Sequence, residues 1–76
     1  MKTSNSIQAL LGQRVKQLRL QKGLSQEALA ERCGLDRTYV SGIERGVRNP
    51  TLEVLHIIAN GLNIDLASLF VFSDPI

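Results

Sequence analysis

The stretch Ser25-Gln26-Glu27-Ala28-Leu29-Ala30-Glu31-Arg32-Cys33-Gly34-Leu35-Asp36-Arg37-Thr38-Tyr39-Val40-Ser41-Gly42-Ile43-Glu44-Arg45-Gly46 reads as two short helices set at an angle by one tight turn. Ser25 can cap the first helix, because its hydroxyl accepts from an otherwise unpaired amide of the opening turn, and Glu27 complements the positive helix end. Gly34 stops that helix, since glycine adopts the left-handed conformation without a Cβ clash. Asp36 is a strong cap for a second helix through Arg45, and Gly46 is the matching stop. Ala28, Leu29, Ala30 and Cys33, with Leu35 of the turn and Val40 and Ile43 of the second helix, can meet on one inner side. Arg37, Thr38, Tyr39, Ser41, Gly42 and Arg45 are left outward, a polar and cationic face on a short rigid rod.

Upstream, Met1 to Asn5 is a polar tail and Ser6 can cap a helix. Ile7, Leu11, Val15 and Leu18 recur as one apolar stripe, with Arg14, Lys16, Arg19 and Lys22 on other faces, and Gly23 ends the helix. Downstream, Val47 to Pro50 is a loop, because proline disfavours helix in the residue before it. Thr51 caps the next helix, whose stripe is Leu52, Leu55, Ile58, Ala59 and Leu62, and Asn63 can take the left-handed closing position. Asp65 caps a final short helix that carries Leu66, Leu69 and Phe70 inward, and residues 71–76 form a second tail. The reading is a single domain over residues 1–76, with its core at about 6–70 and a compact all-α fold of five helices.

A chain of 76 residues with 43% hydrophobic content supports one core and no catalytic cleft of ordinary size. Its 4% aromatic content disfavours sheet-type RNA modules that stack bases. The net charge is only +2, but all nine Lys and Arg lie between Lys2 and Arg48, while Glu53, Asp65 and Asp74 are the only charges from Asn49 onward. A polyanion is therefore expected on the basic side and an uncharged partner on the other. His56, the single histidine, has no ligand partner at metal spacing, and neither paired carboxylates nor a phosphate-cradling glycine loop is present, so the chain reads as a non-enzyme with no metal and no cofactor. Cys33 is the single cysteine, suited to a reducing cytoplasm and to a small buried position. No apolar run is long enough for a membrane span, and no export signal is visible.

The central stretch resembles the helix-turn-helix of the phage repressor and Cro-type family of DNA-binding regulators. Ser25-Gln26 opens the first helix, Ala30-Glu31-Arg32-Cys33-Gly34 makes the turn, and Ile43-Glu44-Arg45-Gly46 ends the second helix. The likeness runs from about Leu11 to Phe70 and implies a lambda-repressor-like domain. Within that family, Leu35 to Arg45 followed by Arg48-Asn49 is similar to the controller proteins of restriction-modification systems.

In such a fold the first residues of the recognition helix reach major-groove base edges. Arg37 has the forked donors that match guanine, Thr38 offers a hydroxyl and a methyl, and Ser41 is a further candidate for base readout. Tyr39 can pack under the helix or hold a phosphate. The resemblance assigns Gln26 to a phosphate, places Arg48 and Asn49 at the DNA backbone or minor groove, and pairs Glu44 with Arg14 or Arg19. Gly42 costs the helix about 1 kcal/mol relative to alanine, so a close approach at that position is expected in compensation. Val54 and Ile57 beside the core stripe, with Val71 and Phe72 beyond it, either form a dimer interface or deepen the core.

The function these features imply is a transcriptional regulator that binds a palindromic double-stranded DNA operator as a homodimer, with RNA polymerase as a further partner and no membrane association. The controller resemblance implies activation of its own promoter at low occupancy and repression at high occupancy. The alternative class is an antitoxin-like protein-interaction module. With almost no mass beyond the DNA-binding domain, concentration and cooperative occupancy are the expected control variables.

Overall fold

Every α-helix starts on the residue that the sequence nominates as its cap. The computed structural model describes residues 6–72 and contains α1 (Ile7–Gln21), α2 (Gln26–Cys33), α3 (Arg37–Glu44) and α4 (Leu52–Gly61). The side chains of Ser6, Ser25, Asp36 and Thr51 accept from the backbone N–H groups of Ala9, Ala28, Thr38 and Val54 at 3.1, 3.0, 2.9 and 3.1 Å. The α2–α3 turn is fixed as tightly. Gly34 lies at φ 68°, and the Leu35 N–H returns to the Ala30 carbonyl at 2.9 Å, which folds Leu35 back onto the core. The other helix ends close with the same backbone bond, and at the end of α4 the left-handed residue is Asn63, as expected.

The expected fifth helix is instead a 3₁₀ turn, Leu66–Phe70. Asp65 begins it with extended backbone but makes no side-chain bond to the helix N–H groups; its carboxylate takes the Ser68 hydroxyl at 3.1 Å. Its carbonyl accepts the Ser68 N–H at 3.0 Å, an i to i+3 bond that winds the segment tighter than an α-helix. The described residues therefore hold four α-helices and this turn, all-helical but not a five-helix bundle. Of the expected tails, residues 1–5 and 73–76 lie outside the described residues, while Phe72 packs against the core.

The core lies where α3 packs on both α1 and α2, α2 packs on α4, and the 3₁₀ turn closes against α1 and α4. Val15, Leu29, Val40, Ile58, Leu62 and Leu69 are fully buried, so each major element contributes at least one side chain. α1 and α3 approach closely because Gly12 lacks a side chain: a methyl there would overlap the carbonyl oxygens of Ile43 and Glu44. Three residues expected in the core are outside it. Ile7, Leu52 and Phe70 are 62%, 68% and 43% exposed, because each sits at an end of its element, beyond the reach of a second layer. Arg19, off the apolar stripe of α1 and one of the two partners suggested for Glu44, is buried.

Candidate nucleic-acid interface

Residues 37, 38, 41 and 45 share the outer face of α3 by helical spacing, with Val40 and Ile43 turned into the core. Arg37, Thr38 and Arg45 are exposed on that face. Ser41 is half-buried and accepts from Arg45 Nε at 3.4 Å, which leaves its own hydroxyl proton free to donate. Arg48 and Asn49 are exposed in the loop after α3. The Arg48 guanidinium lies over the Tyr39 ring, 5.4 Å from its centroid. Tyr39 itself is half-buried and its ring packs against the core.

Behind this face runs a chain of polar contacts. Arg19 Nε donates to Glu44 Oε2 at 2.7 Å and its Nη2 to Oε1 at 3.0 Å, with the two side chains only 8% and 3% exposed. Arg19 Nη1 donates to the Leu24 carbonyl at 2.8 Å. Of the two arginines suggested for Glu44, Arg19 is the partner; Arg14 donates instead to the Ser68 carbonyl and to Gln17. Glu44 Oε1 also accepts from Gln26 Nε2 at 3.0 Å, and Gln26 Oε1 accepts from Arg37 Nη1 at 3.2 Å. The amide of Gln26 has one possible orientation here, because an ionised carboxylate only accepts and a guanidinium only donates. Gln26 thus fixes one branch of the Arg37 fork, and the remaining Arg37 donors face outward.

This arrangement brings Gln26, Arg37, Thr38, Tyr39, Ser41 and Arg48 to one side of the molecule, with one Nε2 hydrogen of Gln26 given to Glu44 and its second not engaged by either bond. Asn49 lines, with Pro50, a cleft of about 120 Å³ whose other walls are Ile7, Gln8, Leu11, Leu55 and Phe70. Val54 packs against the core, and Ile57 is half-buried. Cys33 lies well away from α3's outer face, its Sγ 3.7 Å from the Ile57 carbonyl. Burial pushes the Cys33 thiol up, and nearby Arg32 only partly opposes that.

Two capped helices joined by a Gly34 turn, with cationic and hydroxyl side chains at the front of the second, are the geometry of a major-groove reader. The helix-turn-helix family pattern matches residues 15–69, most of the chain. The chain belongs to the helix-turn-helix family of DNA-binding regulators. Among its relatives in this family is the control protein C.BamHI of Bacillus amyloliquefaciens, 45% identical over 71 residues that cover 92% of this chain and 88% of that one. The crystal structure of the restriction-modification controller protein C.AhdI from Aeromonas hydrophila superposes with a TM-score of 0.82 at 49% identity, covering 83% of this chain and 96% of that one. The controller protein C.Esp1396I, solved as a tetramer with its natural 35 base-pair operator, gives a TM-score of 0.80 at 42% identity over 87% of this chain and 88% of that one. Among the described residues of this family member, no helix is long and apolar enough to cross a membrane.

Proposed function

We propose that this protein is a restriction-modification controller: a cytoplasmic regulator that binds a palindromic operator as a homodimer and both activates and represses its own promoter. The observation that carries the reading is the exposed front of α3, where Arg37 is held by the Glu44–Gln26 chain with most of its donors free. Arg37 and Thr38 read base edges, with Ser41 behind them. Tyr39, Arg48 and Asn49 engage the sugar-phosphate backbone, and Gln26 offers its second Nε2 hydrogen to a phosphate. The relative solved on its operator as a tetramer supports the mode of assembly.

One α3 offers too few base contacts to discriminate within a genome, so two copies are required. The exposed apolar residues Ile7, Leu52 and Phe70, with Val71 at 60% exposure, supply the self-association face. Val54 and Phe72 support that face from beneath, since both pack on the core. No Lys or Arg follows Arg48, so two such faces meet without cationic repulsion. A favourable contact of about 1.4 kcal/mol between neighbouring dimers tightens the second binding event tenfold, which makes occupancy switch over a narrow range of concentration. At low occupancy the bound dimer recruits RNA polymerase, and at high occupancy it blocks it.

In-vitro selection of bound duplexes followed by footprinting tests the DNA reading. The expected product is a two-fold site with half-sites about one helical turn apart and steep salt dependence. A promoter reporter measured across a graded supply of the protein tests the regulation: a rise followed by a fall is expected, and a monotonic fall leaves only a repressor. A protein that prefers no sequence and instead captures a protein partner overturns the whole reading.

A further inference from the structure

We propose that Gly42 is a positioning residue for DNA contact: the missing side chain leaves a slot on α3 in which the Arg48 stem lies, and the slot seats the Arg48 guanidinium on the Tyr39 ring. The inference rests on the DNA-binding reading and assigns the origin of one of its cations. Glycine is unfavourable inside a helix relative to alanine. At position 42 the backbone does not ask for it, since the glycines with positive φ are Gly23, Gly34 and Gly46. The space does. A Cβ on residue 42 would lie 2.7 Å from Arg48 Cγ and 3.3 Å from Nε. Cγ is close to the main chain, so a rotation at the far end of the side chain cannot relieve the overlap, and Arg48 must leave the slot.

The rest of the path is fixed from both ends. The Val47 N–H donates to the Gly42 carbonyl at 3.0 Å, which brings the loop back across the last turn of α3 just before Arg48. Residues 39 and 42 are three apart on one helical face, so a stem crossing Gly42 delivers its head to the Tyr39 ring, 5.4 Å from the guanidinium carbon. An exposed arginine otherwise samples many rotamers that DNA binding would have to restrict. Here the slot and the ring hold it beside the outer face of α3 before DNA arrives.

The test compares the unmodified protein with Gly42→Ala, Arg48→Ala and the double variant. Tyr39 is the only tyrosine, so the ring-current shift it imposes on the Arg48 side-chain protons is read directly by NMR in the free protein. That shift is expected in the unmodified protein and lost in Gly42→Ala. On the selected operator, Gly42→Ala and Arg48→Ala are each expected to weaken binding about 5–10-fold, and the double variant no more than either alone. If Gly42→Ala fails to fold while the double variant folds, the clash with Arg48 is the cause and the slot is supported. An Arg48 shift that survives in Gly42→Ala, multiplicative losses in the double variant, or a double variant that also fails to fold overturns the proposal. An unmodified protein that binds no duplex overturns the DNA reading, and with it the role of the slot, while the shift still reports whether the seating exists.

Discussion

Replacing Glu44 with alanine should unfold more of this protein than any surface change, because it strands a buried cation. Arg19 would lose two of its three hydrogen bonds and keep only the one to the Leu24 carbonyl. Removing one partner of a buried ion pair costs about 3–5 kcal/mol, chiefly as the penalty of the uncompensated charge that remains. At about 0.05–0.15 kcal/mol per residue, a 76-residue domain has only roughly 4–11 kcal/mol to lose. Urea denaturation is the assay: the midpoint should fall by about 3–5 M at a slope near 1 kcal/mol per molar, with the slope unchanged. Arg19→Met combined with Glu44→Met should recover most of that loss, since well-packed apolar pairs often replace buried ion pairs at little cost. Operator binding should stay weak in the recovered protein, because Gln26 would have no carboxylate to orient it toward Arg37. A loss below about 1 kcal/mol in Glu44→Ala would refute the burial argument. Full DNA affinity in the double variant would refute the orienting one.

Arg37→Ala should cost about 1–3 kcal/mol on the selected operator and relax preference at one base pair in each half-site; uniform weakening on all sequences would make Arg37 a phosphate contact. Leu52→Asp should give a folded monomer by sedimentation, because Leu52 is exposed in one copy and its charge would be trapped only in a dimer. A monomer already present in the unmodified protein, with and without DNA, would remove the self-association face. The Cys33 thiol should alkylate more slowly than a free thiol near pH 8, with its titration midpoint above the ordinary 9.0 because burial disfavours the thiolate. The unfolded chain gives up that proton first, so the thiol's contribution to stability is present below pH 9 and is lost as pH rises through the raised value; a midpoint at or below 9.0 would contradict the packing against α4.

What the sequence discloses here is what neighbouring residues decide among themselves. Ser6, Ser25, Asp36 and Thr51 act within three residues of where they stand, and Gly34 and Asn63 satisfy carbonyls of their own helices, so all six were legible. Asp65 shows the limit of that reasoning, because a local rival, the Ser68 hydroxyl, takes the carboxylate and the segment winds as 3₁₀. Ile7, Leu52 and Phe70 show another: periodicity says that a position is apolar but not whether anything lies over it. The front of the site, Arg37 and Thr38, was readable from cap and spacing. The support beneath it was readable only in part: the resemblance offered Arg14 or Arg19 for Glu44, but not the link through Gln26. Arg19 has the same local signature as the solvated Lys16, and only contact across 25 residues makes it a buried partner. Gly42 announced a close approach, but the approaching side chain follows only from the fold of the loop.

The eight residues of α3 are too few to hold a helix in water alone, so its direction must be imposed from outside. Its C-terminal end is tied to α1 twice, by the Arg19–Glu44 pair and by backbone contact where Gly12 lacks a side chain. Its N-terminal end is tied to α2 by the short turn and by the Gln26–Arg37 bond. Glu44 belongs to both ties, since the same carboxylate that holds Arg19 orients Gln26. A purely apolar replacement could supply the first tie but not the second, because only an acceptor with a spare lone pair can turn the Gln26 carbonyl outward. The buried charge is therefore better understood as the inner end of the recognition surface than as a stabilising element of the core, and its removal should be felt at the operator even where the fold survives.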